Sequence, residues 1–200
     1  MPRVVPSEQL SKLLATLHEA ATACHTCSLA ETLAKRDYAI IRVLSATGIR
    51  VAELCELSVV DYLETESALR VFGKGSRERL AMLTMEEDRE CLIDYLAERY
   101  RLEPKSDHLF LNGRGTALST EGVRGVLRKA AAAADLPCHV TPHMLRHTAA
   151  TCLLEHGADL RVVQTYLGHA SVRSTERYTH VSNAHLRNVL ERCHPLRNAA

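Results

Sequence analysis

Tryptophan is absent from this 200-residue sequence and phenylalanine occurs only twice. Any core must therefore be aliphatic, assembled from Leu, Val, Ile and Ala, and an apolar fraction of 46% is enough to build one. Long apolar runs are also missing. None approaches the roughly 18 residues that a membrane span requires, and the first ten residues, MPRVVPSEQL, hold no apolar stretch of the secretory kind. The expected location is a bacterial cytosol or nucleoid. The seven cysteines are an odd number, scattered through helix-like segments, which reads as reduced thiols and not as a disulfide framework. A charge excess is lacking too, with 25 Lys and Arg against 24 Asp and Glu. The distribution is less even. Residues 41–110 carry ten basic against fourteen acidic side chains, and residues 111–200 carry eleven against six. A basic C-terminal half is compatible with a surface that faces phosphates.

The length allows one domain with at most a small appendage. Apolar spacing predicts helices over 8–20 (Leu10, Leu13, Leu14, Leu17) and 30–46 (Ala39, Ile40, Val43, Leu44), with Gly48 as a left-handed stop, then a short helix from Arg50 to Leu57. The period changes over 58–83. Val59, Val60 and Tyr62, then Leu69, Val71 and Phe72, then Leu80, Met82 and Leu83 suggest three short antiparallel strands, with Gly73-Lys74-Gly75 at a hairpin tip. Thr84 and Glu87 read as a capping box for a helix to Tyr100. A loop over 102–115 is interrupted by apolar 109–111. Ser119 caps a helix to Ala134. Thr141 and Pro142 start another towards His156, closed by Gly157, and Asp159 starts one that Gly168 closes. A short helix from Ser171 towards Tyr178 and a last one over 182–193 complete the reading. The fold class expected is mainly α with a small three-stranded antiparallel sheet (α+β).

Six side chains stand out: Arg50, Lys74, His143, Arg146, His169 and Tyr178. Four of them fall within 36 residues, and none is a carboxylate. Such a set is suited to hold an anion and attack it, and a phosphodiester fits several converging donors plus one nucleophilic hydroxyl. His143 and Arg146, at i and i+3 near a helix start, share a face beside free backbone N–H groups. Arg50 can grip two phosphate oxygens at once, or pair with Glu53 at i+3. Lys74, flanked by glycines, can reach from a hairpin tip. His169 and Tyr178 lie nine residues apart, on opposite faces of any unbroken helix, so they converge only across a bend.

The local wording around these residues is specific. Ala46-Thr47-Gly48-Ile49-Arg50-Val51-Ala52-Glu53-Leu54 resembles the first arginine box of the tyrosine recombinases, the phage integrase family. Gly73-Lys74-Gly75-Ser76-Arg77-Glu78-Arg79 is similar to its β-hairpin lysine segment, and Thr141-Pro142-His143-Met144-Leu145-Arg146 to its HxxR box. His156-Gly157-Ala158-Asp159-Leu160-Arg161-Val162-Val163-Gln164 and Leu167-Gly168-His169 resemble the run to its second histidine, and Ser174 to Val181 its nucleophile segment. The resemblance covers residues 8–185. It implies a catalytic domain over 1–185 with a C-terminal helix or tail over 186–200.

It also implies roles. Tyr178 would attack the scissile DNA phosphorus, giving a 3′-phosphotyrosine and a free 5′-hydroxyl. Arg50 and Arg146 would hold the non-bridging oxygens, Lys74 would protonate the leaving oxygen, His143 would assist proton transfer with Tyr178, and His169 would donate to the phosphate. A phenol with an ordinary pKa near 10 needs such help. No cluster of acidic residues of the Mg²⁺-binding kind is written in the chain. Metal-independent chemistry without a cofactor is expected. The implied partners are double-stranded DNA carrying recombination sites and three further copies of the chain, a homotetramer on synapsed DNA. Leu186, Val189 and Leu190 mark an amphipathic tail helix, a candidate for docking on a neighbouring protomer, and its removal is expected to spare monomer folding. Most family members carry an N-terminal helical domain. Here Met1 lies only a few residues before the start of the resemblance, which fits a short recombinase or a fragment. Competing readings are a non-catalytic DNA-binding regulator at recombination sites and a type IB topoisomerase. The HGADLRVVQ and LGH wording favours the recombinase. Cys24 and Cys27, with His18, form at most a partial zinc pattern, and a small solvent-facing loop is expected instead. Cys55, Cys91 and Cys152 are expected as packing thiols.

Overall fold

The structure, a computed structural model, describes residues 4–23, 28–73, 78–168, 183–194 and 196. Helices α1 (Ser7–Thr22) and α2 (Leu29–Thr47) come first, followed by the short α3 (Val51–Glu56). Strands β1 (Tyr62–Leu63), β2 (Ala68–Phe72) and β3 (Glu78–Met82) form one antiparallel sheet in sequence order. Then come α4 (Glu86–Glu98), α5 (Thr120–Ala133), α6 (Pro142–Glu155), α7 (Leu160–Leu167) and α8 (Asn183–Cys193). The mainly α architecture with a three-stranded sheet is as expected.

Helix α2 is the centre of the molecule, packed against α1, α4 and α6. The spacing predicts one buried stripe, but every residue from Ala39 to Thr47 is buried. Two of the polar members are paired. Arg42 forms an ion pair with the fully buried Asp88 of α4, and the Thr47 hydroxyl donates to the Val43 carbonyl at 2.6 Å. Asp88 lies 3.0 Å from His194 Nε2 as well, so the residue that follows α8 is held against the central helix pair.

The sheet separates two apolar clusters. Ala68 faces Met82 across β2 and β3, and both join the smaller cluster with Leu153, Val163, Leu167, Leu186 and Leu190. Leu69 and Ala81, the next pair, join the larger cluster with α1, α2, α4 and α5. Successive strand residues point to opposite faces, which fixes this division. Helix α8 therefore buries Leu186, Val189, Leu190 and Cys193 against its own chain.

Several caps match their sequence signals. Ser119 accepts from the Gly122 N–H, Thr141 from that of Met144 and Asp159 from that of Arg161. Gly48, Gly157 and Gly168 end their helices with positive φ. Four readings change. Val59–Asp61 is a 3₁₀ turn, so the first strand shrinks to Tyr62–Leu63. Arg50 stands just before α3 as its N-cap residue. Helix α4 begins two residues beyond Thr84, whose hydroxyl caps nothing. Three acidic residues in its first turn favour the helix dipole instead. Residues 109–111 are a buried strap, with Leu109 N–H donating to the Leu57 carbonyl at 2.7 Å. Cys55 and Cys91 are buried, and burial pushes their thiols up to about 11 and about 12. Cys152 is only partly covered, with its sulfur 3.4 Å from His156 Nδ1.

Candidate DNA-phosphate site

The site begins where α2 ends. Gly48 takes the left-handed conformation (φ 58°), and a Cβ there would lie 2.8 Å from the Tyr166 ring. Glycine is required on both counts. The tight turn buries Ile49 and delivers Arg50 at the start of α3 in extended conformation. The Arg50 side chain is 47% exposed, while its backbone N–H and its Nη1 each donate to the Glu53 carboxylate at 2.8 Å.

Helix α6 supplies the opposite wall. Pro142 at its first position needs no hydrogen-bond acceptor, and His143 stands exposed in the first turn. One turn later Arg146 is buried at 8% exposure. Its Nη1 donates to the Gly48 carbonyl, and its Nη2 to the Leu167 carbonyl at 2.8 Å. One guanidinium thus clamps the turn before Arg50 to the end of α7. Burial, with repulsion from Arg50, pulls the Arg146 pKa down to about 10, so it remains a cation at neutral pH. Arg50, His143 and Arg146 line one depression of about 420 Å³, together with Ile49, Val51, Ala52 and Pro142.

Behind Arg50 lies a residue that sequence reasoning quoted only inside a motif. Arg79 of β3 makes a two-armed bond to Glu53, Nη1 to Oε1 at 3.3 Å and Nη2 to Oε2 at 2.8 Å. Burial alone would raise the Glu53 pKa. The bonds from Arg79 and Arg50 outweigh it and hold the carboxyl below its ordinary range. Arg79 also lies against Gly168, where a Cβ would come 2.6 Å from its Nε. Tyr166 was missed as well. It is buried on α7, its hydroxyl donates to the Ala46 carbonyl at 2.9 Å, and burial drives its phenol pKa well up. This tyrosine is a strut, not a nucleophile. The signal that could have found Arg79 is strand parity: it shares a face with Ala81 and Leu83, both buried.

Of the six expected residues, Arg50, His143 and Arg146 are brought together. Lys74, His169 and Tyr178 lie outside the described residues. So do the hairpin tip, the short helix read from Ser171, and Cys24 and Cys27 of the zinc pattern. His18 stacks obliquely on Tyr38 at 5.3 Å, and among the described residues no group of three or more His, Cys, Asp or Glu could hold a metal ion. No helix among the described residues is long and apolar enough to cross a membrane.

A mainly helical domain with a small three-stranded antiparallel sheet is the catalytic-domain fold of tyrosine recombinases, as its structural neighbours agree. Residues 3–185 match the phage integrase family, and the chain belongs to it. Tyrosine recombinase XerC of Listeria welshimeri serovar 6b is 37% identical over 199 residues, covering 98% of this chain and 63% of that protein. The crystal structure of XerA recombinase superposes with a TM-score of 0.72 at 33% identity, covering 95% of this chain and 65% of the other. XerH site-specific recombinase, in a post-cleavage complex with palindromic difH substrate, superposes with a TM-score of 0.71 at 26% identity, covering 96% of this chain and 49% of the other. The chain spans less than two thirds of the length of these relatives.

Proposed function

We propose that this chain is the catalytic part of a site-specific DNA recombinase, cleaving and rejoining strands through a 3′-phosphotyrosine. The observation that carries the reading is the pairing of Arg50 and Arg146 on one depression, in a family member that also retains Lys74, His143, His169 and Tyr178. In the proposed reaction the Tyr178 oxygen attacks phosphorus as the bond to the 5′-oxygen breaks. Lys74 gives that oxygen its proton and His143 helps take the proton from the phenol. His169 donates to the phosphate. The two guanidiniums offset the charge that grows on the non-bridging oxygens, and each such donor contributes on the order of 3 kcal/mol to lowering the barrier. Rejoining reverses the step with a new 5′-hydroxyl, so it consumes no nucleotide.

DNA is the partner that this chemistry requires, and XerH, a relative, is seen on its difH substrate. Exchange between two duplexes needs four active sites, hence a homotetramer. Helix α8 is proposed to pass to a neighbouring protomer in that assembly. The face it buries in its own chain would be reproduced between chains, as in domain swapping. The site of action is proposed to be the bacterial cytosol, on the chromosome.

The test uses nicked duplexes carrying the inverted repeats that flank the gene. A covalent adduct on a denaturing gel is expected with the wild-type chain and is absent with Tyr178→Phe. Adduct on any DNA would point to a topoisomerase, and none at all to a regulator.

A further inference from the structure

We propose that Arg79 is a positioning residue that shields Glu53, leaving the charge of Arg50 free for a phosphate. The inference rests on the phosphate-binding reading of the site.

The geometry poses a problem that Arg79 solves. Glu53 is the carboxylate beside Arg50, and it accepts from both the Arg50 backbone N–H and Nη1 at 2.8 Å. Left alone, that carboxylate would neutralise Arg50 and compete with any anion for its donors. Arg79 prevents this from the side away from solvent. Its side chain is 16% exposed against 47% for Arg50, and its fork reaches both oxygens of Glu53. Arg50, Arg79 and Arg146 then face one carboxylate, an excess of two positive charges at the depression.

The arrangement is built, not incidental. Arg79 pairs in register with Val71, which is buried in the larger cluster, and cross-strand partners share a face. That face delivers the guanidinium to α3. Gly168 closes on it from the other side, leaving no room for a Cβ, so the guanidinium cannot withdraw from Glu53 in that direction. Arg79 is not among the residues that line the depression. Its effect passes through Glu53.

The experiment is a double-mutant cycle on Arg79 and Glu53, read in two ways. The first readout is the concentration of inorganic phosphate that gives half of the phosphate-dependent rise in melting temperature. The second is the rate of covalent adduct on nicked DNA. Arg79→Leu is expected to raise the phosphate midpoint about ten-fold and to slow adduct formation by a similar or larger factor. Adding Glu53→Gln removes the carboxylate that Arg79 shields, and is expected to return the midpoint to within about three-fold of wild type. A purely structural role predicts the opposite, a double variant no better than Arg79→Leu, and that result overturns the proposal. So does an unchanged midpoint in Arg79→Leu. If the Leu variant does not melt cooperatively, Arg79→Lys decides. It keeps a charge beside Glu53 and should stay within about three-fold of wild type, whereas a ten-fold loss contradicts the shield. Should the cycle behave as expected on phosphate while the wild type forms no adduct on DNA, the recombinase reading fails and the shield stands.

Discussion

At the scale of the residue, the site is a problem in placing like charges close together. Arg146 is buried between two backbone carbonyls, and Arg50 is held at a helix start by a carboxylate. Glu53 makes the crowding tolerable, and that dependence has a pH signature. Its pKa is lowered in the folded chain from the ordinary 4.5, so the unfolded chain binds the proton more readily. The associated stability is fully present above about pH 4.5 and drains away as the pH falls through the lower folded value. Melting temperatures followed from pH 7 to pH 3 should therefore fall more steeply for wild type than for Glu53→Gln, and equal slopes would contradict the role given to this carboxylate. Arg50, His143 and Arg146 were legible in the sequence because each sits in a short run of distinctive neighbours. Glu53 was visible only as a helical neighbour of Arg50. Its second partner is 26 residues away on a strand, and spacing along the chain carries no trace of that contact.

Elements were legible where local chemistry sets their ends. Thr141-Pro142, Ser119 and Asp159 start helices because their side chains satisfy free N–H groups, and Gly48 and Gly168 stop them because they accept positive φ. Thr84 misled because it lies at the exit of a strand, where the chain remains extended until Met85. The burial of α2 on all sides was hidden for a different reason. Arg42 and Ser45 imitate a solvent face, and only the approach of Asp88 from α4 makes Arg42 an interior residue. Helix α8 reads as an amphipathic tail, and the structure adds where its apolar face goes. Leu186, Val189 and Leu190 are buried at 3%, 7% and 1% exposure, and each such side chain contributes about 1.5–3 kcal/mol. Removing the tail, expected to spare folding, should therefore carry a cost in stability. A chain ending at residue 182 should melt at least about 10 °C below the full chain, at roughly 2–4 °C per kcal/mol for this size. A melting point within two or three degrees would show, at about that sensitivity, that the packing of α8 contributes little.

At the scale of the whole molecule, a sheet divides two apolar clusters, and the guanidinium site forms where the elements around them meet. Arg50 follows the central helix, Arg146 reaches across to Gly48 and Leu167, and Arg79 arrives from the sheet. That convergence concentrates positive charge in a chain whose net charge is only +1, as the proposed phosphate seat requires, and the totals average it away. The central claim is that this seat serves Tyr178 as nucleophile, and peptide mapping of the covalent adduct tests it most directly. After nuclease and trypsin digestion, mass spectrometry should find the nucleotide remnant on the peptide spanning residues 178–187, attached at Tyr178. A remnant on any other residue, or an adduct that persists in Tyr178→Phe, would contradict the account.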